Sequence, residues 1–300
     1  MIRKITTACA LTLLLTGSLA AQAAFAGEQT VSFKVDGKAV VGTLNIPDGV
    51  SRPPVVLLLH GFKSSRDEVV IPSVQEGVYH RTAKAFADKG IASLRIDFMG
   101  SGDSEGSFAD TTLQVQLADA LAALDFLAAR HDVDTRKISI VGWSLGGAIA
   151  ATAAGRSKHR LASVALWEPS NNSSASMAFS FGTDFVMKAL NAGDTPVVTK
   201  TSWGAEVSLK GAFFRSLTEI DPVAEIRSYH GPLLVTSGTE DDAVFPQPEA
   251  AQAFLSYHDG PEELWARPMD HVFNAFKDHD TVDQLIEKTA DFIAKASAAP

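Results

Sequence analysis

The stretch Ile138 to Gly147, I-S-I-V-G-W-S-L-G-G, constrains this chain more than any other. A β-branched apolar run reaches Val141, Gly142-Trp143-Ser144-Leu145-Gly146 then spell G-x-S-x-G, and the helix-tolerant Gly147-Ala148-Ile149-Ala150-Ala151 follow. Strand, sharp turn and helix in that order make a nucleophile elbow. The turn is tight enough to push its serine into a strained backbone conformation, and side chains at Gly142 or Gly146 would collide with the neighbouring strand and helix. Ser144 is then expected to stand at the sheet edge with its hydroxyl free to attack. The helix that starts beside it brings partial positive charge to where negative charge would develop. The five letters alone also occur by chance in glycine-containing loops, so the flanking strand and helix give the motif its meaning.

The rest of the chain repeats that alternation. Thr30 to Val35 and Val40 to Ile46 alternate apolar and polar residues around Asp36-Gly37, the pattern of a hairpin of two half-buried strands. Val55 to Leu59 is solidly apolar, as in a central parallel strand covered on both faces. A helix ending at Lys89 and stopped by Gly90, a strand at Ile91 to Ile96 and a helix over Thr111 to Ala129, with Leu113, Leu117, Leu121, Leu124 and Leu127 at helical spacing, come next. Beyond the elbow follow a strand at Ala162 to Trp167, short strands at Leu233 to Ser237 and Leu264 to Arg267 around a helix from Gln247 to Tyr257, and a closing helix from Thr281 to Ala296. This pitch predicts an α/β fold, a mostly parallel central sheet with helices on both faces. Residues 171–217 break the rhythm. Rich in Ser, Asn, Phe and Gly, with a candidate strand pair at Pro196 to Lys200 and Glu206 to Leu209, they are expected to form a small cap over the site. Val69 to Arg81 reads as a second loop at the pocket edge.

Residues 1–26 are read as a signal peptide: Arg3 and Lys4 precede an apolar run from Ile5 to Leu19, and Ala24-Phe25-Ala26 has the small-x-small form of a cleavage site. Export to the periplasm or medium of a bacterium is therefore expected, with a single folded domain over 27–300. Ala21-Gln22-Ala23 is the second-choice site. The single cysteine, Cys9, lies inside this leader, so no disulfide is expected in the mature chain. The net charge of −9 becomes two units more negative when Arg3 and Lys4 are removed, which disfavours nucleic acid and anionic lipid as partners. No later apolar run reaches transmembrane length, and the sequence leaves the oligomeric state open.

A serine hydroxyl needs a base within hydrogen-bond reach, itself oriented by a carboxylate. Later strand-end loops supply candidates: Glu240-Asp241-Asp242 after one strand and Asp270-His271 after the last. His271 has the best position for the base; His279, near the start of the last helix, is the fallback, and His60 reads as a loop support. Spacing alone does not choose among the three adjacent acids. An oxyanion hole needs two backbone N–H groups, assigned to Leu145, which follows the nucleophile, and to Phe62 in His60-Gly61-Phe62. No two histidines stand at metal-ligand spacing beside a carboxylate, and the chemistry calls for no cofactor.

With these residues assembled, the chain resembles the α/β-hydrolase superfamily, and within it the feruloyl or cinnamoyl esterase-like serine esterases. The resemblance runs from about Val55 to Phe292. It rests on His60-Gly61-Phe62, the stretch Asp97 to Gly106, Gly142 to Gly147, Gly238-x-x-Asp241-x-x-Val244 and Asp270-His271-x-Phe273. It implies a Ser144–His271–Asp241 triad, with Asp242 as the alternative acid, and a small-molecule ester as substrate. Asp97 and Asp103 are read as loop caps. Trp143 stands where the group often has histidine, Leu145 where feruloyl esterases often have glutamine, and Phe245 is inserted before Pro246. Phe179, Phe181, Phe185, Phe213 and Phe214 either shape a site for short-chain or aryl esters or simply fill the core of the cap. A peptidase or amidase on the same fold and a non-catalytic binding protein are the rival expectations.

Overall fold

The structure is a computed structural model describing residues 27–298. Residues 1–26, read above as a signal peptide, lie outside the described residues. The chain opens with a hairpin of β1 (Gly27–Val35) and β2 (Lys38–Ile46), closed by Asp36 and Gly37 at φ 47° and 80°. Both turn residues are left-handed, as a two-residue turn matched to strand twist requires. After β3 (Val55–Leu59) come the two-residue strands β4 (Val70–Ile71) and β5 (Glu76–Gly77), then α1 (Val78–Asp88) and β6 (Ala92–Ile96). Next are α2 (Leu113–Ala128), β7 (Ile138–Trp143), α3 (Leu145–Arg156) and β8 (Ser163–Trp167).

The segment that follows β8 holds α4 (Ser173–Phe181), α5 (Thr183–Leu190), the hairpin β9 (Val197–Lys200) and β10 (Glu206–Leu209), and α6 (Gly211–Ser216). The chain then returns through α7 (Pro222–Glu225) to β11 (Leu233–Gly238), α8 (Glu249–Tyr257), β12 (Glu262–Arg267) and α9 (Asp280–Ala298). Eight strands form one sheet in the order β1-β2-β6-β3-β7-β8-β11-β12. The β1–β2 and β2–β6 pairs are antiparallel; every later pair is parallel.

The solid apolar runs are explained by cover on both sides. Every residue of β3 is buried, and its side chains alternate between two cores. Val55, Leu57 and Leu59 join Leu113, Leu117 and Leu124 of α2 and Ile149 of α3, whereas Val56 and Leu58 join Tyr79 and Phe86 of α1 and Leu285 and Ile293 of α9. Each such side chain contributes roughly 1.5–3 kcal/mol on burial, without any disulfide. Thr112 caps α2 by accepting the Val115 N–H, which starts the helix two residues inside the expected boundary.

Two stretches fold differently from expectation. Val69 to Arg81 is not simply a loop: the β4–β5 hairpin leads straight into α1, whose Val78, Tyr79, Thr82, Ala83 and Phe86 are buried at helical spacing. Pro72 and Gly77 hid that start because both lie just ahead of it, Gly77 as the extended N-cap. The helices α4 and α5 also went unread, since serine- and asparagine-rich composition favours loops; Asn172 instead caps α4 by accepting the Ala175 N–H.

Candidate active site

Ser144 stands between β7 and α3 at φ 56° and ψ −119°, a left-handed conformation costly for any side-chain-bearing residue. The flanking glycines make that turn sterically possible. A Cβ on Gly142 would lie 2.2 Å from the Gly146 carbonyl oxygen, and one on Gly146 would lie 2.2 Å from the carbonyl oxygen of Leu59. The strained residue is fixed through its backbone, since its N–H donates to Trp167 O (2.9 Å) and its carbonyl accepts from Ser170 N (3.0 Å).

The loop after β12 brings His271 to this serine. Asp270 caps it, its Oδ1 accepting the N–H groups of Val272 (3.1 Å) and Asn274 (2.7 Å), while Phe273 and Asn274 take positive φ of 61° and 58°. Trp143 anchors the loop to the elbow: its indole Nε1–H donates to the His271 carbonyl at 3.0 Å, and its ring packs on both His271 and Phe273. His271 Nε2 lies 2.9 Å from Ser144 Oγ, and Nδ1 lies 2.8 Å from Asp241 Oδ2. An ionised carboxylate only accepts, so Nδ1 carries the proton and Nε2 offers its lone pair to the serine.

Asp241 is buried, whereas its neighbours Glu240 and Asp242 are exposed. Its Oδ1 accepts the N–H groups of Ala243 (2.8 Å) and Val244 (2.9 Å). Burial pushes its pKa up, but the His271 contact and these two N–H groups more than offset that and hold it below the ordinary aspartate value. Behind it lies Glu168, at the end of β8, fully buried and at φ 42°. Its carboxyl accepts the Gly238 N–H (2.7 Å) and is hydrogen-bonded to Asp241. Burial raises Glu168 well above the usual range, so the pair shares one negative charge: Asp241, beside the imidazole, keeps it, and Glu168 holds the proton. Glu168 was missed in the sequence, although an acid directly at the C-terminal end of a buried strand next to the elbow strand is a readable signal.

Leu145 opens α3, so its N–H has no partner within the helix. Phe62 follows Gly61, where a Cβ would lie 3.5 Å from Ser144 Cβ; the loop after β3 thus runs against the serine. The Phe62 ring packs with Phe108, Phe181 and Phe213, which joins this loop to the segment after β8. Phe213 and Phe214 are core, Phe181 and Phe185 are half-buried against them, and Phe179 is exposed beside Phe245. His60 is buried away from the serine. Its Nε2 accepts the Phe98 N–H at 3.1 Å, its Nδ1 donates to Gly61 O at 2.8 Å, and burial lowers its pKa to about 4. His279 sits apart from this group, near Ser73, Asp280 and Asp283. Asp97 takes the backbone N–H groups of Arg66 and Asp103 and an ion pair with Arg66. Among the described residues, no group of three or more His, Cys, Asp or Glu side chains is placed to hold a metal ion.

The eight-stranded sheet with its antiparallel start, and a serine, histidine and aspartate at the C-terminal ends of its strands, define an α/β-hydrolase. Residues 78–299 match the prolyl oligopeptidase family of peptidases S9, and the chain belongs to that family. Est1E from Butyrivibrio proteoclasticus, solved with ferulic acid bound, superposes with a TM-score of 0.69 at 22% identity, covering 90% of this chain and 100% of that one. The esterase Pf2001 of Pyrococcus furiosus superposes with a TM-score of 0.62 at 19% identity, over 89% and 92% of the two chains. An uncharacterized 31.7 kDa protein from the traX-finO intergenic region of Escherichia coli is 29% identical over 105 residues, 35% of this chain and 34% of that protein's length.

Proposed function

We propose that this α/β-hydrolase is an exported serine esterase that cleaves short-chain or aryl carboxylic esters through an acyl-enzyme. The observation that carries the reading is the hydrogen-bonded series Ser144 Oγ, His271 Nε2, His271 Nδ1 and Asp241 Oδ2, with steps of 2.9 Å and 2.8 Å, hung on a serine at φ 56°. In this mechanism Ser144 Oγ attacks the acyl carbon as Nε2 takes its proton. Asp241 orients the ring and stabilises its cationic form. The N–H groups of Phe62 and Leu145 receive the oxyanion, each donor contributing ~3–4 kcal/mol to the transition state. The imidazolium then gives its proton to the leaving alcohol, and water repeats the sequence to release the acid. No step calls for a cofactor.

The preference for small or aromatic acyl groups is supported by the aromatic wall of Phe62, Phe108 and Phe181 beside the serine loop, and by the esterases among the structural neighbours. The leader composition of residues 1–26 supports export, and mass analysis of the secreted or periplasmic protein should give Gly27 as the first residue. Membership of a peptidase family favours a second reading, amide hydrolysis by the same residues. Matched p-nitrophenyl esters and aminoacyl p-nitroanilides separate the two. The esterase reading expects rapid turnover of short-chain or aryl esters and little of the anilides; the opposite ranking assigns the site to peptides.

A further inference from the structure

The loop that presents Phe62 contains a buried acid that the mechanism above leaves unused. Glu68 lies in the turn after β3, at φ 64° and 6% exposed. Its Oε1 accepts the Gly61 N–H and its Oε2 accepts the Ser64 hydroxyl at 2.5 Å. Gly61 is therefore held at both of its backbone polar groups, its N–H by Glu68 and its carbonyl by His60 Nδ1. The carbonyl of Gly61 and the N–H of Phe62 belong to one planar trans peptide and point in opposite directions. Fixing the two sides of Gly61 thus fixes the direction of the Phe62 N–H.

We infer that Glu68 is a positioning residue for the oxyanion hole, a buried carboxyl that clamps Gly61 and so aims the Phe62 N–H at the oxygen of the tetrahedral intermediate. The inference rests on the proposed serine mechanism and assigns Glu68 no contact with substrate. Left-handed backbone at a non-glycine residue is costly, and here it places the carboxyl under the glycine.

The protonation state of Glu68 matters because a full negative charge close to an oxyanion hole would oppose the charge forming there. Burial raises its pKa to about 8, countered only in part by the hydrogen bonds it accepts, so near neutral pH it is a neutral acid. The Ser64 hydroxyl can rotate to accept the proton on Oε2 while Oε1 keeps the Gly61 N–H. The groups facing it do not change that state. Tyr79 on α1 donates to Leu59 O, and burial pushes its phenol well above its ordinary pKa; His60 is held neutral by burial at about 4. Neighbouring Asp67 turns to Arg95 of β6, and Arg66 turns to Asp97 and Asp103.

The test compares Glu68→Ala and Glu68→Gln in the mature protein, with kcat counted per active serine by titration with a fluorophosphonate. Glu68→Ala should lose about 100-fold in kcat, with KM changed little, because a misaligned oxyanion donor is missed in the transition state rather than in substrate binding. Glu68→Gln, which offers the same acceptor to Gly61 and a donor to Ser64, should restore most of it. The pH profile gives a readout independent of folding. Wild-type kcat should fall roughly tenfold or more as pH passes about 8 and Glu68 ionises, and Glu68→Gln should show no such fall. Unchanged kcat per titrated site in Glu68→Ala, or a fall above pH 8 that persists in Glu68→Gln, overturns the inference. Should Glu68→Ala fail to fold, the Glu68→Gln profile decides alone. Full turnover by Ser144→Ala would instead overturn the serine mechanism itself, so the two failures are distinguishable.

Discussion

His271 makes two hydrogen bonds of opposite sense, donating from Nδ1 to Asp241 and accepting at Nε2 from Ser144, and only a neutral ring of that tautomer can do both. The choice between His271 and His279, and among three consecutive acids, depends on which side chain reaches the serine. For the acids, burial separates them: Asp241 points inward to two backbone N–H groups and the imidazole, whereas Glu240 faces solvent opposite Lys277. Spacing cannot reveal that, because adjacent residues in a turn differ only in direction. We predict that Asp241→Asn lowers kcat on the order of 10³–10⁴-fold while Asp242→Asn stays within a few-fold of wild type. Steady-state kinetics on one p-nitrophenyl ester decide this, and the reverse ranking would move the acid by one residue. At the elbow, a Cβ on Gly146 meets backbone oxygens of Leu59 and His60 at 2.2 and 2.4 Å, neither of which is a movable side-chain end. Gly146→Ala should accordingly give little folded protein or a melting point lower by many degrees; a wild-type melting curve would contradict the tight packing of α3 on β3.

Elements are joined at the site by single polar contacts. Trp143 ends β7 and holds the β12–α9 loop through one indole N–H. Trp143→Phe keeps the ring packing and loses that bond. A stability loss of about 1 kcal/mol with a larger fractional drop in kcat is expected, measured by denaturant melts and kinetics on the same preparation; an unchanged kcat would show that the loop stays in place without the bond. On α2, Asp119 ties the helix to the loop after β6 by accepting the Met99 N–H at 2.7 Å, while its Oδ1 has no partner among the described residues. Burial raises its pKa from 3.8 to about 7, with the Met99 N–H opposing. The folded state thus holds this proton more tightly than the unfolded chain does. The group's contribution is most favourable below pH 3.8, worsens as pH rises towards 7, and is constant above that. Melting temperatures of Asp119→Asn relative to wild type should therefore climb between pH 4 and pH 7 and then level off. A pH-independent difference would refute the raised value.

At the scale of the molecule, the sheet was legible because its strands are buried on both faces and so read as unbroken apolar runs, as Val55 to Leu59 and Ile138 to Val141 do. The elbow was legible because its glycines answer to steric contacts that follow from the strand–turn–helix path itself. Within residues 171–217 the β9–β10 hairpin was legible, but the helices were not, since α4 and α5 are short and their packing depends on aromatic side chains such as Phe181, Phe185 and Phe214, which meet only in three dimensions. Glu68 escaped for a related reason: it is an ordinary glutamate in the sequence, and only burial beside Gly61 gives it a task. The central claim is that Ser144 is a nucleophile activated by His271. Reacting the folded protein with a fluorophosphonate and locating the adduct by peptide mass tests it most directly. One equivalent on Ser144, lost in Ser144→Ala and slowed by orders of magnitude in His271→Ala, is the expected result; a folded wild-type protein that stays unlabelled, or reacts at another residue, would contradict it.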